Sequence, residues 1–252
     1  MKNQDPWRIP GETLEELGVK NLKILQKAKG FRFGTDAVFL AHFAKSQKME
    51  RAIDLCSGSG IVPLLLYAHG AYSSIKALEL QPALADMADR SVRMNGLEEC
   101  ITVCQGDAKD PQVLAALGKA ELVTCNPPYK PLGSGLLNPS LEISLARHEV
   151  ALTLAQLMQA VRTVLVPGGR ICLVHRPERI LDVLLAMRQA GLEAKRLALV
   201  FDRPARPARL LLVEGRRGAK QGLRWDPPLF IHQADGSYDQ ILKEVYGDGR
   251  HG

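Results

Sequence analysis

Four residues in a row, Asn126-Pro127-Pro128-Tyr129, combine groups that suit one kind of chemistry. A conjugated NH2, as in an amide or an aromatic amine, is a weak nucleophile because its lone pair is delocalised. Hydrogen bonds accepted from both of its N–H groups, by the Asn126 side-chain oxygen and the Pro127 carbonyl, would draw that nitrogen toward tetrahedral geometry and aim it at an electrophile. The prolines fix φ and stiffen the loop that carries the acceptors. Tyr129 offers a ring on which a planar group can stack. No strong base is needed before attack, since the nitrogen becomes acidic only after it has been alkylated. A plain rigid turn would use two prolines equally well.

A second group of residues can supply the electrophile. Ala52-Ile53-Asp54-Leu55-Cys56-Ser57-Gly58-Ser59-Gly60 reads as strand, glycine loop and helix start. Gly58 and Gly60 let the backbone turn sharply and approach a ligand closely. Pro63 stands where the dinucleotide fingerprint G-x-G-x-x-G needs its third glycine, so a pyrophosphate is not the expected guest. The Asp54 carboxylate suits an ammonium instead, and S-adenosylmethionine carries both an ammonium and an electrophilic methyl. Glu79, about twenty residues on, ends the next apolar run, where an acidic group grips ribose hydroxyls. Asp107 follows Ile101–Cys104 and is placed to accept from the adenine amine. Cys56 and Ser57 in the loop, with Leu80 and Ala108 beside the two acids, complete the candidate cofactor set. Glu79 and Asp107 would otherwise be solvated strand ends.

Such groups meet only if parallel strands end at one edge. From Arg51 onward, short apolar runs alternate with helical stretches, the pattern of repeated βα units. The expected strands are Ala52–Leu55, Ile75–Leu80, Ile101–Cys104, Leu122–Cys125, Gly169–Val174, Leu197–Phe201 and Leu210–Val213. The expected helices are Ile61–His69, Pro82–Asn95, Ala151–Leu165 and Glu178–Ala190. No helix-length segment separates the last two strands, so they read as an antiparallel hairpin through Asp202-Arg203-Pro204-Ala205-Arg206-Pro207. The expectation is an α/β fold: a Rossmann-like, seven-stranded sheet of the class I methyltransferase type, its last strand antiparallel, with helices on both faces. Met1 to Gly30 reads as an irregular lead-in with a short strand over Leu22–Gln26, and Thr35 or Asp36 would cap a helix over Ala37–Ala44. Residues 31–252 then form one domain that includes the basic hairpin 195–224.

The bulk composition fits that picture. With 252 residues, 46% of them hydrophobic and 24% charged, the chain can bury a sizeable core. No apolar run approaches the roughly 18 residues that span a bilayer, and Met1 to Pro10 lacks the apolar stretch of a signal peptide. A cytoplasmic location is expected. The five cysteines are an odd number in apolar surroundings, which argues against a disulfide framework. Cys100 and Cys104 have no second Cys or His pair at zinc-ligand spacing, so no metal is expected. The net charge of +6 is concentrated: Lys195 to Arg224 holds nine basic and two acidic residues. A local excess of that kind suits a polyanionic partner, with a solvated surface as the alternative.

Asp54–Gly60 together with Asn126–Tyr129 resembles the amino-methyltransferases of adenine, cytosine, guanine and protein glutamine. Phe33-Gly34-Thr35-Asp36, Ala146-Arg147-His148-Glu149 and Arg206–Val213 narrow the resemblance to the bacterial tRNA adenine-N6 methyltransferase family, over roughly residues 20–246. Studied members modify the adenine beside the anticodon of a valine tRNA. The resemblance implies S-adenosylmethionine as cofactor, tRNA as partner, and Asn126, Pro127, Pro128 and Tyr129 as the catalytic residues. It places Arg32, Phe33, Thr35 and Asp36 over the cofactor, and lets Arg147 meet the RNA with Arg203, Arg206 and Arg209. The extended Leu132–Leu141 loop departs from the family pattern. A protein glutamine N5-methyltransferase would use the same Asn-Pro-Pro-Tyr grip. It would add an N-terminal recognition domain, whereas fewer than about fifty residues precede the sheet, and it leaves the basic segment without a task. An RNA-binding protein on a retired methyltransferase fold is a third possibility, against which the intact Asp54, Glu79, Asn126 and Tyr129 speak.

Overall fold

The computed structural model describes residues 6–30, 32–46, 48, 50–70, 72–127 and 152–247. A hairpin comes first, β1 (Glu12–Glu16) antiparallel to β2 (Lys23–Lys27), with Leu14 opposite Leu25. Next are α1 (Thr35–Phe43), β3 (Glu50–Leu55), α2 (Ile61–His69), β4 (Tyr72–Glu79) and α3 (Pro82–Met94). β5 (Ile101–Gln105), α4 (Pro111–Leu117) and β6 (Ala120–Cys125) follow. The remaining elements are α5 (Leu154–Val164), β7 (Leu165–His175), α6 (Ile180–Gln189), β8 (Leu192–Phe201) and β9 (Ala208–Arg217). Two short strands, β10 (Arg224–Trp225) and β11 (Leu229–Phe230), and the helix α7 (Gln240–Tyr246) close the chain.

The main sheet runs β10-β8-β9-β7-β6-β3-β4-β5, with β11 also pairing with β8. Strands β3 to β7 pair in parallel, and β9 is antiparallel to both of its neighbours. The seven expected strands are therefore all present, and the last one is the antiparallel insertion. Short edge strands β10 and β11 extend the sheet beyond them. The Asp202–Pro207 turn explains the insertion: two strands joined without a crossover can only run antiparallel. Along the central strands the side chains alternate between two cores. Ile53, Leu55, Val123, Cys125, Ile171, Leu173, Leu211 and Val213 face the side of α4, α5 and α6. Ala52, Leu122, Cys172, Val174, Leu210 and Leu212 face the side of α1, α2 and α7. Burial on both faces is why these strands read as continuous apolar runs.

Three local expectations are corrected. The lead-in is an ordered hairpin, because α3 completes its hydrogen bonding: Ser91 Oγ accepts from Leu25 N at 3.0 Å and Asn95 Oδ1 from Lys23 N at 2.9 Å. Arg90 also pairs with Glu12 at 2.6 Å. The cap of α1 is Gly34; Thr35 and Asp36 lie inside its first turn, where Asp36 Oδ1 accepts from Ala37 N at 2.9 Å. The α5 helix begins at Leu154, not Ala151, since Thr153 and Gln156 form a reciprocal capping box there. The short helices α4 and α7 were not expected at all. Among the described residues no helix is long and apolar enough to cross a membrane, and no group of three His, Cys, Asp or Glu could hold a metal.

Candidate active site

Parallel register brings the predicted groups to the carboxyl edge of the sheet. Asp54, next to last in β3, pairs in register with Thr124 of β6. The Thr124 hydroxyl donates to Asp54 Oδ1 at 2.6 Å. Asp54 is only 1% exposed, and its Oδ2 has no hydrogen-bond partner among the described residues. Burial pushes its carboxyl up to about 7; Thr124 and the nearby Ser57 oppose that shift, and the Glu79 charge adds to it. Two more polar atoms beside it, Ser59 Oγ and Ser57 Oγ, are buried without a partner that meets hydrogen-bond geometry.

The glycine loop turns through three left-handed residues, Cys56 (φ 60°), Gly58 (φ 59°) and Gly60 (φ 84°). At Gly60 a Cβ would also lie 3.0 Å from that of Ala88, so the loop sits hard against α3. Glu79, the last residue of β4, holds the loop: its Oε2 accepts from Gly58 N and its Oε1 from Gln81 N, both at 2.9 Å. Each oxygen keeps a further lone pair for a ligand hydroxyl. Leu80 beside it is 38% exposed, an apolar side chain left open at the same edge. Asp107, two residues past β5, accepts from Lys109 N at 2.8 Å and faces Lys109 Nζ at 3.5 Å, while Ala108 is buried. An unpaired buried carboxylate oxygen, a braced acid with spare acceptors and an open apolar side chain fit the ammonium, ribose and adenine of S-adenosylmethionine.

Asn126 follows Cys125, which pairs with Leu55, so it stands at the same edge as Asp54 and the glycine loop. Its Nδ2 donates to Asp36 Oδ2 at 3.1 Å. Pro127 is buried behind it. Phe33 stacks on Tyr246 of α7 with ring centroids 5.9 Å apart. Thr35 opens α1 between them. Arg32 is turned elsewhere: its guanidinium pairs with Glu15 and donates to Thr13 Oγ1 at 3.2 Å, both on the hairpin. Pro128, Tyr129, Arg147, His148, Glu149 and the 132–141 loop lie outside the described residues.

The basic segment divides between the two ends of the sheet. Arg203, Arg206 and Arg209 are exposed on or beside the β8–β9 turn, at the carboxyl edge. Lys195, Arg196, Arg216, Arg217, Lys220 and Arg224 lie at the opposite end of those strands. There Arg196 pairs with Glu214 at 3.2 Å and Asp226 at 2.9 Å and covers the Phe43 ring. Arg217 donates to the Arg162 carbonyl at 3.1 Å. Sequence reasoning missed Thr124 as the partner of Asp54 and Asp36 as the partner of Asn126; neither pair has a signal in local spacing.

No protein-family model matches the chain. A Porphyromonas gingivalis protein named tRNA1(Val) (adenine(37)-N6)-methyltransferase is 27% identical over 227 residues, covering 87% of this chain and 88% of the relative. A protein of that name from Aeromonas salmonicida is 28% identical, covering 92% and 93%. Among solved structures, a predicted O-methyltransferase, protein Atu636 from Agrobacterium tumefaciens, superposes with a TM-score of 0.66 at 19% identity, over 86% of this chain and 98% of that one. TYW2 from M. jannaschii, solved with AdoMet, superposes with a TM-score of 0.56 at 12% identity, over 84% and 89%. The strand order, the antiparallel β9 and these relatives agree, and the chain is a class I S-adenosylmethionine-dependent methyltransferase, homologous over most of its length to bacterial proteins named as tRNA (adenine-N6) methyltransferases.

Proposed function

We propose that the protein methylates the exocyclic N6 amine of an adenine in tRNA, in the cytoplasm, through the domain formed by residues 31–252. The observation that carries this reading is the Asn126 amide, bonded to Asp36 at the sheet edge where Asp54 and Glu79 also end their strands. When bound, S-adenosylmethionine supplies an electrophilic methyl on a sulfonium. Asp54 Oδ2 would take the ammonium, Glu79 the ribose hydroxyls, and Leu80, Asp107 and Ala108 would surround the adenine. Asn126 Oδ1 and the Pro127 carbonyl would accept the two N6–H bonds of the target and turn its lone pair toward the methyl. The amine nitrogen would take the methyl from the sulfonium, which would leave as a neutral thioether, and would then lose one proton to solvent. Pro128 stiffens the loop, Tyr129 stacks on the extruded base, and Arg147, Arg203, Arg206 and Arg209 meet RNA phosphates. The names of the relatives support tRNA as the substrate class.

Incubation with bulk tRNA and S-adenosylmethionine, followed by mass mapping of nucleosides, should give N6-methyladenosine. Asn126→Ala should slow transfer by about 10²–10³-fold while keeping cofactor affinity. Methylation of a glutamine-bearing peptide instead of RNA would overturn the substrate. Cofactor binding with no transfer to either would favour a retired fold.

A further inference from the structure

The Asp36 carboxylate reaches 90 residues along the chain to the amide of Asn126, and that contact has a chemical consequence. An asparagine side chain has two nearly isosteric branches. If it flips, it presents an NH2 to the incoming amine, and two donors then face one another. A carboxylate accepts hydrogen bonds and cannot donate them, so it tolerates only the NH2 branch. With Nδ2 turned to Asp36 Oδ2, the amide oxygen is turned the other way. A negative charge on the Nδ2 side also polarises the amide toward its oxygen, making that oxygen a stronger acceptor. Finally, the target nitrogen is cationic between methyl transfer and proton loss, and a carboxylate one side chain away favours that charge.

Asp36 is itself held in place. Its Oδ1 accepts from Ala37 N at 2.9 Å, which ties the carboxylate to the first turn of α1. Helix α1 is packed into the core through Val38, Phe39 and Leu40. Tyr246 on α7 closes in from the other side: burial and then the Asp36 charge push its phenol above the ordinary tyrosine range. The pair thus spans two rigid elements, the start of α1 and the end of β6.

We infer that Asp36 is a positioning residue for methyl transfer, which fixes the Asn126 amide with its oxygen toward the acceptor nitrogen. This rests on the proposed N-methyl transfer, and it differs from a role for Asp36 as a lid over the cofactor. The wild-type chain, Asp36→Ala, Asp36→Asn and Asn126→Ala should be compared for kcat and KM, and for cofactor affinity by calorimetry. Asp36→Ala should lose about 10–100-fold in kcat with cofactor affinity within about twofold of wild type. Asp36→Asn, which can still accept from Nδ2 through its own oxygen but carries no charge and can also donate to a flipped Asn126 oxygen, should recover only part of that loss. In the Asn126→Ala background, Asp36→Ala should cost nothing further, as expected for residues acting as a unit. Thermal melts and circular dichroism establish that each variant is folded. Weakened cofactor binding with unchanged kcat would make Asp36 a cofactor residue and overturn the inference. An unchanged kcat in Asp36→Ala, or additive losses in the double variant, would also overturn it. Absence of methyl transfer by the wild type to any nitrogen acceptor would instead defeat the underlying functional reading.

Discussion

A carboxylate that lacks a partner for one oxygen is held inside the protein at Asp54. Its folded pKa of about 7 lies above the ordinary aspartate value of about 3.9. The folded, ligand-free protein therefore keeps a proton that the unfolded chain releases, and stability falls as pH rises from about 4 to about 7. Melting temperatures of the ligand-free protein should decline across that window, and Asp54→Asn should flatten the decline; a flat wild-type curve would refute it. An ammonium beside Oδ2 favours the charged form, so cofactor binding should release a proton and tighten as pH rises through about 7. Calorimetry in buffers of different ionisation heat measures that release directly. Glu79 braces Gly58 and Gln81 besides the ribose-binding task proposed for it. Glu79→Ala should lower cofactor affinity and also cost about 1–3 kcal/mol of stability for the buried N–H it strands. Loss of affinity without any loss of melting temperature would remove the bracing role.

The β8–β9 turn is the element that carries cations to the carboxyl edge of the sheet. Replacing Arg203, Arg206 and Arg209 together by Ala should raise KM for tRNA and flatten the log–log salt dependence of binding by roughly 0.7–0.9 per lost phosphate contact. Identical salt slopes in variant and wild type would leave the turn a solvated surface. This turn was legible in the sequence, because two prolines between apolar runs leave no room for a helix. The strands were legible for a related reason: Leu122–Cys125 and Leu210–Val213 are buried on both faces, and Thr124 is the one polar residue in either run. The β1 strand was not, because Glu-Thr-Leu-Glu-Glu owes its extended form to β2 and to the Arg90 pair, which are tertiary contacts. Nor was α7, whose seven residues fold against α1 rather than by propensity. Asp54, Glu79 and Asn126 were legible by spacing from strand ends. Their partners Thr124 and Asp36 were not, since each contact joins residues 70 or 90 positions apart.

Across the whole molecule, a run of charge that is continuous in sequence is split by the length of β8 and β9. At the far end Arg170 pairs with Glu50 at 2.9 Å and donates to the Ala44 carbonyl, while Arg196 reaches the Phe43 carbonyl. These cations hold the end of α1 against the sheet. Arg196→Ala should therefore destabilise the fold by about 2–3 kcal/mol, somewhat below the loss for a fully buried pair, with no change in the salt slope for tRNA. A flattened slope in a fully stable Arg196 variant would return this end to the RNA surface. The Phe33–Tyr246 stack makes the setting of α1 depend on a helix far away in sequence. Helix α7 has only seven residues, and short peripheral elements open locally before a fold opens as a whole. Undocking of α7 would release the start of α1, and Asp36 with it, while the sheet and the glycine loop stay formed.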